Sequence, residues 1–131
     1  MAVERRNASG LAAPPGYSHV AIARGTTLVF AAGAVPLDAA GELVGPHDAV
    51  AQTDQVVENL MVALAAGGAG PADVVKTTVY IVGVDHERQA MVWEAVQRSP
   101  IAAAPSTLVG VANLGYRGQL VEIEAVAVLD G

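Results

Sequence analysis

The hydrophobic positions along the chain change period several times, and each change predicts an element. Residues 120–129, LVEIEAVAVL, alternate. In an extended strand Val121, Ile123 and Ala125 point one way while Glu122 and Glu124 point the other. Two readings of these paired acids are open from the pattern alone: a solvated sheet face backed by a core, or a pocket in which one carboxylate handles protons. Nearer the start, HVAIAR and TLVFAAGAV are short strand-type runs joined at RGT, a glycine-centred turn that predicts a hairpin. PLDAAGELV turns again between Asp38 and Gly41, which predicts a short third strand through Leu43 and Val44.

From Asp48 the period becomes helical. Val50, Val57, Leu60, Met61 and Leu64 form one stripe with Thr53, while Gln52, Asp54, Gln55, Glu58 and Asn59 fall largely off it. GGAG at 67–70 ends this helix, since glycine tolerates the left-handed turn common at helix C-termini. It is not a phosphate loop, because it follows a helix and no Lys-Ser/Thr pair comes after it. DVVKTTVYIV reads as a strand rich in β-branched residues, and DHERQAMVWEAVQR as a second helix, with Met91 and Ala95 four apart and Pro100 beyond its end. STLVGVA and QLVEIEAVAVL are two last strands across the turn-rich NLGYRG. The order of strands, helix, strand, helix, strands predicts an α+β fold with two helices on one face of a mixed sheet. No repeat, linker or low-complexity tract interrupts it, so residues 1–131 read as a single domain.

Composition changes the picture in one respect: 53% of residues are hydrophobic and only 15% charged, against about 25% charged in an average globular protein. So much apolar surface in 131 residues predicts a homo-oligomer. A net charge of −6, with seven unclustered Lys and Arg, argues against a nucleic-acid partner. The absence of cysteine removes disulfides, thiolate nucleophiles and zinc–sulfur sites. No apolar run reaches the ~18 residues of a membrane span, and MAVERRNASG has no apolar stretch behind its charges, so a soluble cytoplasmic protein is expected. His19, His47 and His86 do not fall at ligand spacing, and no metal site is expected. Trp93 is expected in packing.

The blocks GYSHV, LVFAAGAVPLD, GELV, QTDQVVENLMVAL, DVVKTTVYIV, PSTLVGV and LVEIEAVAVL, in this order over residues 16–129, resemble the signature blocks of the Rid family, the RidA or YjgF-type proteins also labelled L-PSP endoribonuclease-like. The resemblance implies a chorismate-mutase-like subunit, a homotrimer with clefts between subunits, and hydrolysis of reactive enamines and imines to 2-oxo acids and ammonia without metal or cofactor. It also implies roles for particular residues. Tyr17 matches the family tyrosine of the cleft, Gly33 the glycine of its SG-x-x-P block, and Glu122 the glutamate that positions or activates water.

Three positions depart from the family. Its ARS reads APS here, which puts Pro105 where an arginine clamps the substrate carboxylate; Ala32 stands for the block's serine; and no asparagine lies near Met91. A guanidinium fork makes two charge-assisted hydrogen bonds, each worth about 1.5–3 kcal/mol, and proline offers no donor in exchange. Standard 2-imino-acid deamination is therefore not expected. Arg117, in the loop before the last strand, is the candidate substitute cation, with an exposed surface charge as its plain alternative. Glu124 is read as a structural partner of Glu122. Three functions remain open: a hydrolase acting on a small imine or enamine, an inactive trimer that binds a metabolite or partner protein, and a ribonuclease or translation inhibitor. The acidic charge speaks against the last.

Overall fold

Among residues 2–131, which the computed structural model describes, the chain runs β1 (Val3–Arg6), β2 (Val20–Ala23), β3 (Thr27–Ala34), α1 (Ala49–Ala66), β4 (Val74–Val82), α2 (His86–Gln97), β5 (Ser106–Val111) and β6 (Val121–Leu129). The strongly alternating β6 lies inside a four-stranded sheet of order β3-β6-β4-β5. It is antiparallel to β3 and β4, while β4 and β5 run parallel, so the sheet is mixed as the element order predicts. Both helices cover one face: α1 packs on β6 and β3, and α2 on α1 and β5. The core between them joins Val56, Leu60 and Leu64 of α1 and Val92 and Val96 of α2 to Val79, Ile81, Val121 and Ile123 of the sheet. The α+β fold expected from the sequence is the fold found.

Asp48 caps α1, its carboxylate accepting from the Ala51 amide at 2.9 Å, and the helix ends at Gly67, where the Gly67 and Gly68 amides donate to Leu64 and Ala65. Its buried face is Ala49, Gln52, Thr53, Val56, Val57, Leu60 and Leu64, which corrects the predicted stripe. Val50 and Met61 lie at the margin, and Gln52, a polar residue placed off the stripe, is fully buried. Its amide explains this. Nε2 donates to the carbonyls of Gly45 and Gly118, both at 3.1 Å, and Oε1 accepts from the Leu120 amide at 2.7 Å. On α2, Val92, Ala95 and Val96 turn inward while Met91 stays half exposed.

The predicted hairpin does not form. β2 pairs antiparallel with β1, Val3 opposite Ala23 and Arg6 opposite Val20, and β3 pairs with β6. The RGT link is a corner between sheets: the Arg24 amide donates to Ala2 at 2.6 Å and the Thr26 amide to Leu129 at 3.2 Å. β1 has no counterpart in the sequence reading because VERR looks like a charged surface run. It is held by Ala2 and Val3, buried against Val128, and by Arg5, whose guanidinium donates to the carbonyls of Pro71 and Val74, each at 3.0 Å. The expected strand through Leu43 and Val44 is a single bridge from Leu37 to Leu43, because the Asp38 carboxylate closes the turn onto the amides of Ala40 and Glu42.

Candidate functional site

Alternation along β6 puts Glu122 and Glu124 on the face away from the helices, each half-buried, while Val121, Ile123 and Ala125 are buried on the helix side. The β3–β6 register shifts between Ala31 and Ala34, so β3 bulges beside Glu122 at Ala32 and Gly33. The Glu122 carboxylate occupies that bulge. A Cβ built on Gly33 would collide with Oε2 and stand 2.6 Å from Cδ, so only glycine leaves room for the acid. Glu122 is thus held over Gly33, with Ala32 exposed beside it.

On its other side Glu122 meets Gln119, which is 3% exposed and just precedes β6. Gln119 Nε2 donates to Glu122 Oε1 at 3.1 Å and to the Val121 carbonyl at 3.0 Å, while its Oε1 accepts from the Tyr116 amide at 3.2 Å. The Tyr116–Gln119 turn closes with the Gln119 amide on the Tyr116 carbonyl at 3.0 Å, and its third residue, Gly118, takes φ 80°, as a type II turn demands. Arg117 projects from this turn, exposed and in no ion pair among the described residues.

On the neighbouring strand β4, Tyr80 lies directly opposite Glu122, and its hydroxyl donates to Glu124 Oε1 at 2.6 Å. That hydrogen bond, together with burial and the charges of Glu124 and Glu122, raises the phenol above its ordinary range. Glu124 is therefore the partner of a tyrosine. Beyond it Lys76 Nζ donates to Thr107 Oγ1 at 2.6 Å, and Lys76, Thr78, Glu124, Phe30 and Val126 border a depression of ≈ 270 Å³ on the open sheet face.

The other expected site residues lie elsewhere. Tyr17 packs edge-on against Trp93 (centroids 5.9 Å apart) and His19 (6.2 Å), and the amide of Ser18, next along the chain, donates to the Ala103 carbonyl, two residues before Pro105. Trp93 Nε1 and Gln97 Nε2 both donate to the Pro15 carbonyl, which fixes the Tyr17 loop on α2. Pro105 precedes Ser106, which is level with Thr77 and Ala125. Pro105 is thus four residue steps and two strands from Glu122, roughly 13 Å along the sheet and about 10 Å across it. Within one subunit the residues fall into two groups: Glu122, Gly33, Ala32 and Arg117 at one end, Tyr17 and Pro105 at the other. Sequence reading missed Gln119, Gln52 and Tyr80. The alternation of β4 carried a signal for Tyr80 alone, since it places Thr78 and Tyr80 opposite Val79 and Ile81.

The family model described as Endoribonuclease L-PSP matches residues 8–129. Protein DfrA of Myxococcus xanthus is 34% identical over 112 residues, 86% of this chain and 84% of that protein. A Yersinia pestis protein of the conserved Rid family, YyfB, of unknown function, superposes with a TM-score of 0.87 at 34% identity, over 98% of this chain and all of that one. Escherichia coli TdcF, solved with bound serine, gives a TM-score of 0.68 at 26% identity over 99% of both chains.

Proposed function

This chain belongs to the endoribonuclease L-PSP family, known also as the Rid or YjgF family, and from that premise we propose that it binds and hydrolyses a small imine or enamine without a carboxylate group, in clefts between the subunits of a homotrimer. The observation that carries this reading is the separation of the site residues. Glu122 with Gly33 and Tyr17 with Pro105 stand at opposite ends of one subunit, and a second copy that sets its Tyr17 end against the Glu122 end would complete the cleft. An open sheet face that leaves Phe30 and Leu28 mostly exposed gives such a copy an apolar surface to cover. Bound serine in TdcF supports a small-molecule ligand.

In the proposed step water adds to the imine carbon while Glu122 takes one of its protons and passes it to the nitrogen, which gives a carbinolamine. Glu122 then moves the hydroxyl proton to the nitrogen as the carbon–oxygen double bond forms and the carbon–nitrogen bond breaks, so that imine and water give a carbonyl compound and ammonia. Pro105 sets the substrate class. At that position there is no guanidinium, and an anionic imino acid would meet the Glu122 carboxylate with no fixed cation against it.

Ammonia release from imines made in situ tests the reading. Ethanimine, generated by an amine oxidase, is expected to be hydrolysed faster with the protein than without it, and Glu122→Gln should lower that rate by about 10²–10⁴-fold. The wild type should act poorly on 2-iminopropanoate, and Pro105→Arg should improve it. Strong wild-type turnover of 2-iminopropanoate would show that another cation, Arg117 first, does the clamping.

A further inference from the structure

We infer that Gln119 is the positioning residue of this site: it binds Glu122 Oε1 and so reserves Oε2, on the Gly33 side, as the oxygen that accepts the proton. The inference rests on the reading of Glu122 as the acid of the cleft, and the geometry around Gln119 carries it further. A backbone N–H can only donate, so the Tyr116 amide fixes which end of the Gln119 side chain is oxygen. The nitrogen must then face Val121 and Glu122. With one hydrogen of Nε2 on the Val121 carbonyl, the other reaches Oε1, and all the polar atoms of a nearly inaccessible side chain are engaged.

The clamp fixes the place of the acid and brings no charge to it. Gln119 follows the Tyr116–Gly118 turn, and Gln52 pins the next residue through the Leu120 amide, so the amide group is held from two directions. Its neutrality matters too. A lysine or arginine here would bind the carboxylate as an ion pair and weaken it as a proton acceptor, whereas a primary amide orients one oxygen and leaves the other free. Oε2 is thereby held against the Gly33 backbone, and the reacting water meets it from the exposed Ala32 side. The loop residues that carry Gln119 are part of the site although only Gln119 touches the acid.

Two variants of the full chain separate clamp from scaffold. Gln119→Glu keeps an acceptor for the Tyr116 amide but gives Glu122 no donor at pH 8; Gln119→Met keeps the volume and removes both. Crystal structures of wild type and variants should show the Glu122 carboxylate over Gly33 in the wild type and rotated off it in both variants. With ethanimine, measured well below the melting temperature of each protein, kcat should fall about 10²-fold in Gln119→Glu with KM unchanged, the signature of a misplaced group. Glu122 staying over Gly33 in both variants, or a wild-type kcat in Gln119→Glu, would overturn the inference. Should the wild type hydrolyse no imine, the reading of the cleft fails, and the crystallographic arm still decides whether Gln119 holds the acid.

Discussion

On the helix side of the sheet Val79, Ile81, Val121 and Ile123 are fully buried, while on the other side of the same sheet Phe30 is 70% exposed and Leu28 58%. The two sides also differ in chemistry. The covered side is almost wholly aliphatic; the open side carries Lys76, Thr78, Tyr80, Glu122 and Glu124, of which Lys76, Tyr80, Glu122 and Glu124 are hydrogen-bonded to a neighbour on an adjacent strand or loop. Period-2 alternation thus sorts one sheet into a half that holds the fold together and a half that stays open and carries polar groups. Stability and function are legible separately because a side chain changes role by moving one position.

The sharpest way to break this contrast is to truncate on the covered side. Ile123→Ala should cost about 2–5 kcal/mol of unfolding free energy, seen as a lowered urea midpoint, because it opens a cavity between sheet and helices. A loss below 1 kcal/mol would mean that the helices do not close over β6 as described. Gln52→Leu comes next. It fills the same space but leaves the Leu120 amide and the Gly45 and Gly118 carbonyls without partners, at about 1–3 kcal/mol, and it should also reduce any activity that depends on Glu122. Phe30→Asp, on the open side, should change subunit stability by only about 0.5 kcal/mol. Its effect belongs to the proposed assembly: the wild type is expected at three times the 13.2 kDa chain mass by light scattering, and Phe30→Asp should fall toward one. A Phe30→Asp protein that keeps the wild-type mass would place the subunit contact somewhere other than this face.

What the sequence made legible follows from the range of each interaction. The facing of β6, the extent of α1 and the glycine end of that helix depend on neighbours a few positions apart, and all can be read from the pattern. Strand pairing is another matter. Two strand-like runs around Gly25 look like a hairpin until Ala2 and Leu129, more than a hundred residues apart, compete for their amides. The site divides in the same way. Glu122 and Gly33 were nameable from their motifs, but Gln52 and Gln119 were not: Gln52 finds Gly118 and Leu120 more than sixty residues away, and Gln119, whose partners lie within three residues, depends on a turn that has no period to read.

The smallest expected effect concerns the polar pair at the centre of the open face. The Tyr80 hydroxyl donates to Glu124, and that hydrogen bond, ahead of burial and of the two nearby carboxylate charges, raises the phenol above the ordinary value of 10.0. A folded-state value above the unfolded one means that the contribution to stability is complete below about pH 10 and declines as pH rises through the folded value, because the unfolded chain releases the proton first. Tyr80→Phe removes this titration and leaves Tyr17 and Tyr116 in both proteins. The difference in urea midpoint between wild type and Tyr80→Phe should therefore be constant from neutral pH to about pH 10 and shrink above it. In a Glu124→Gln background the acceptor is no longer a carboxylate, so the folded value falls back toward 10.0 and the shrinkage should be smaller and end at lower pH. A difference that widens in alkali would mean that the phenolate is the form the fold prefers. The open face would then hold a proton-releasing group where the structure places a donor.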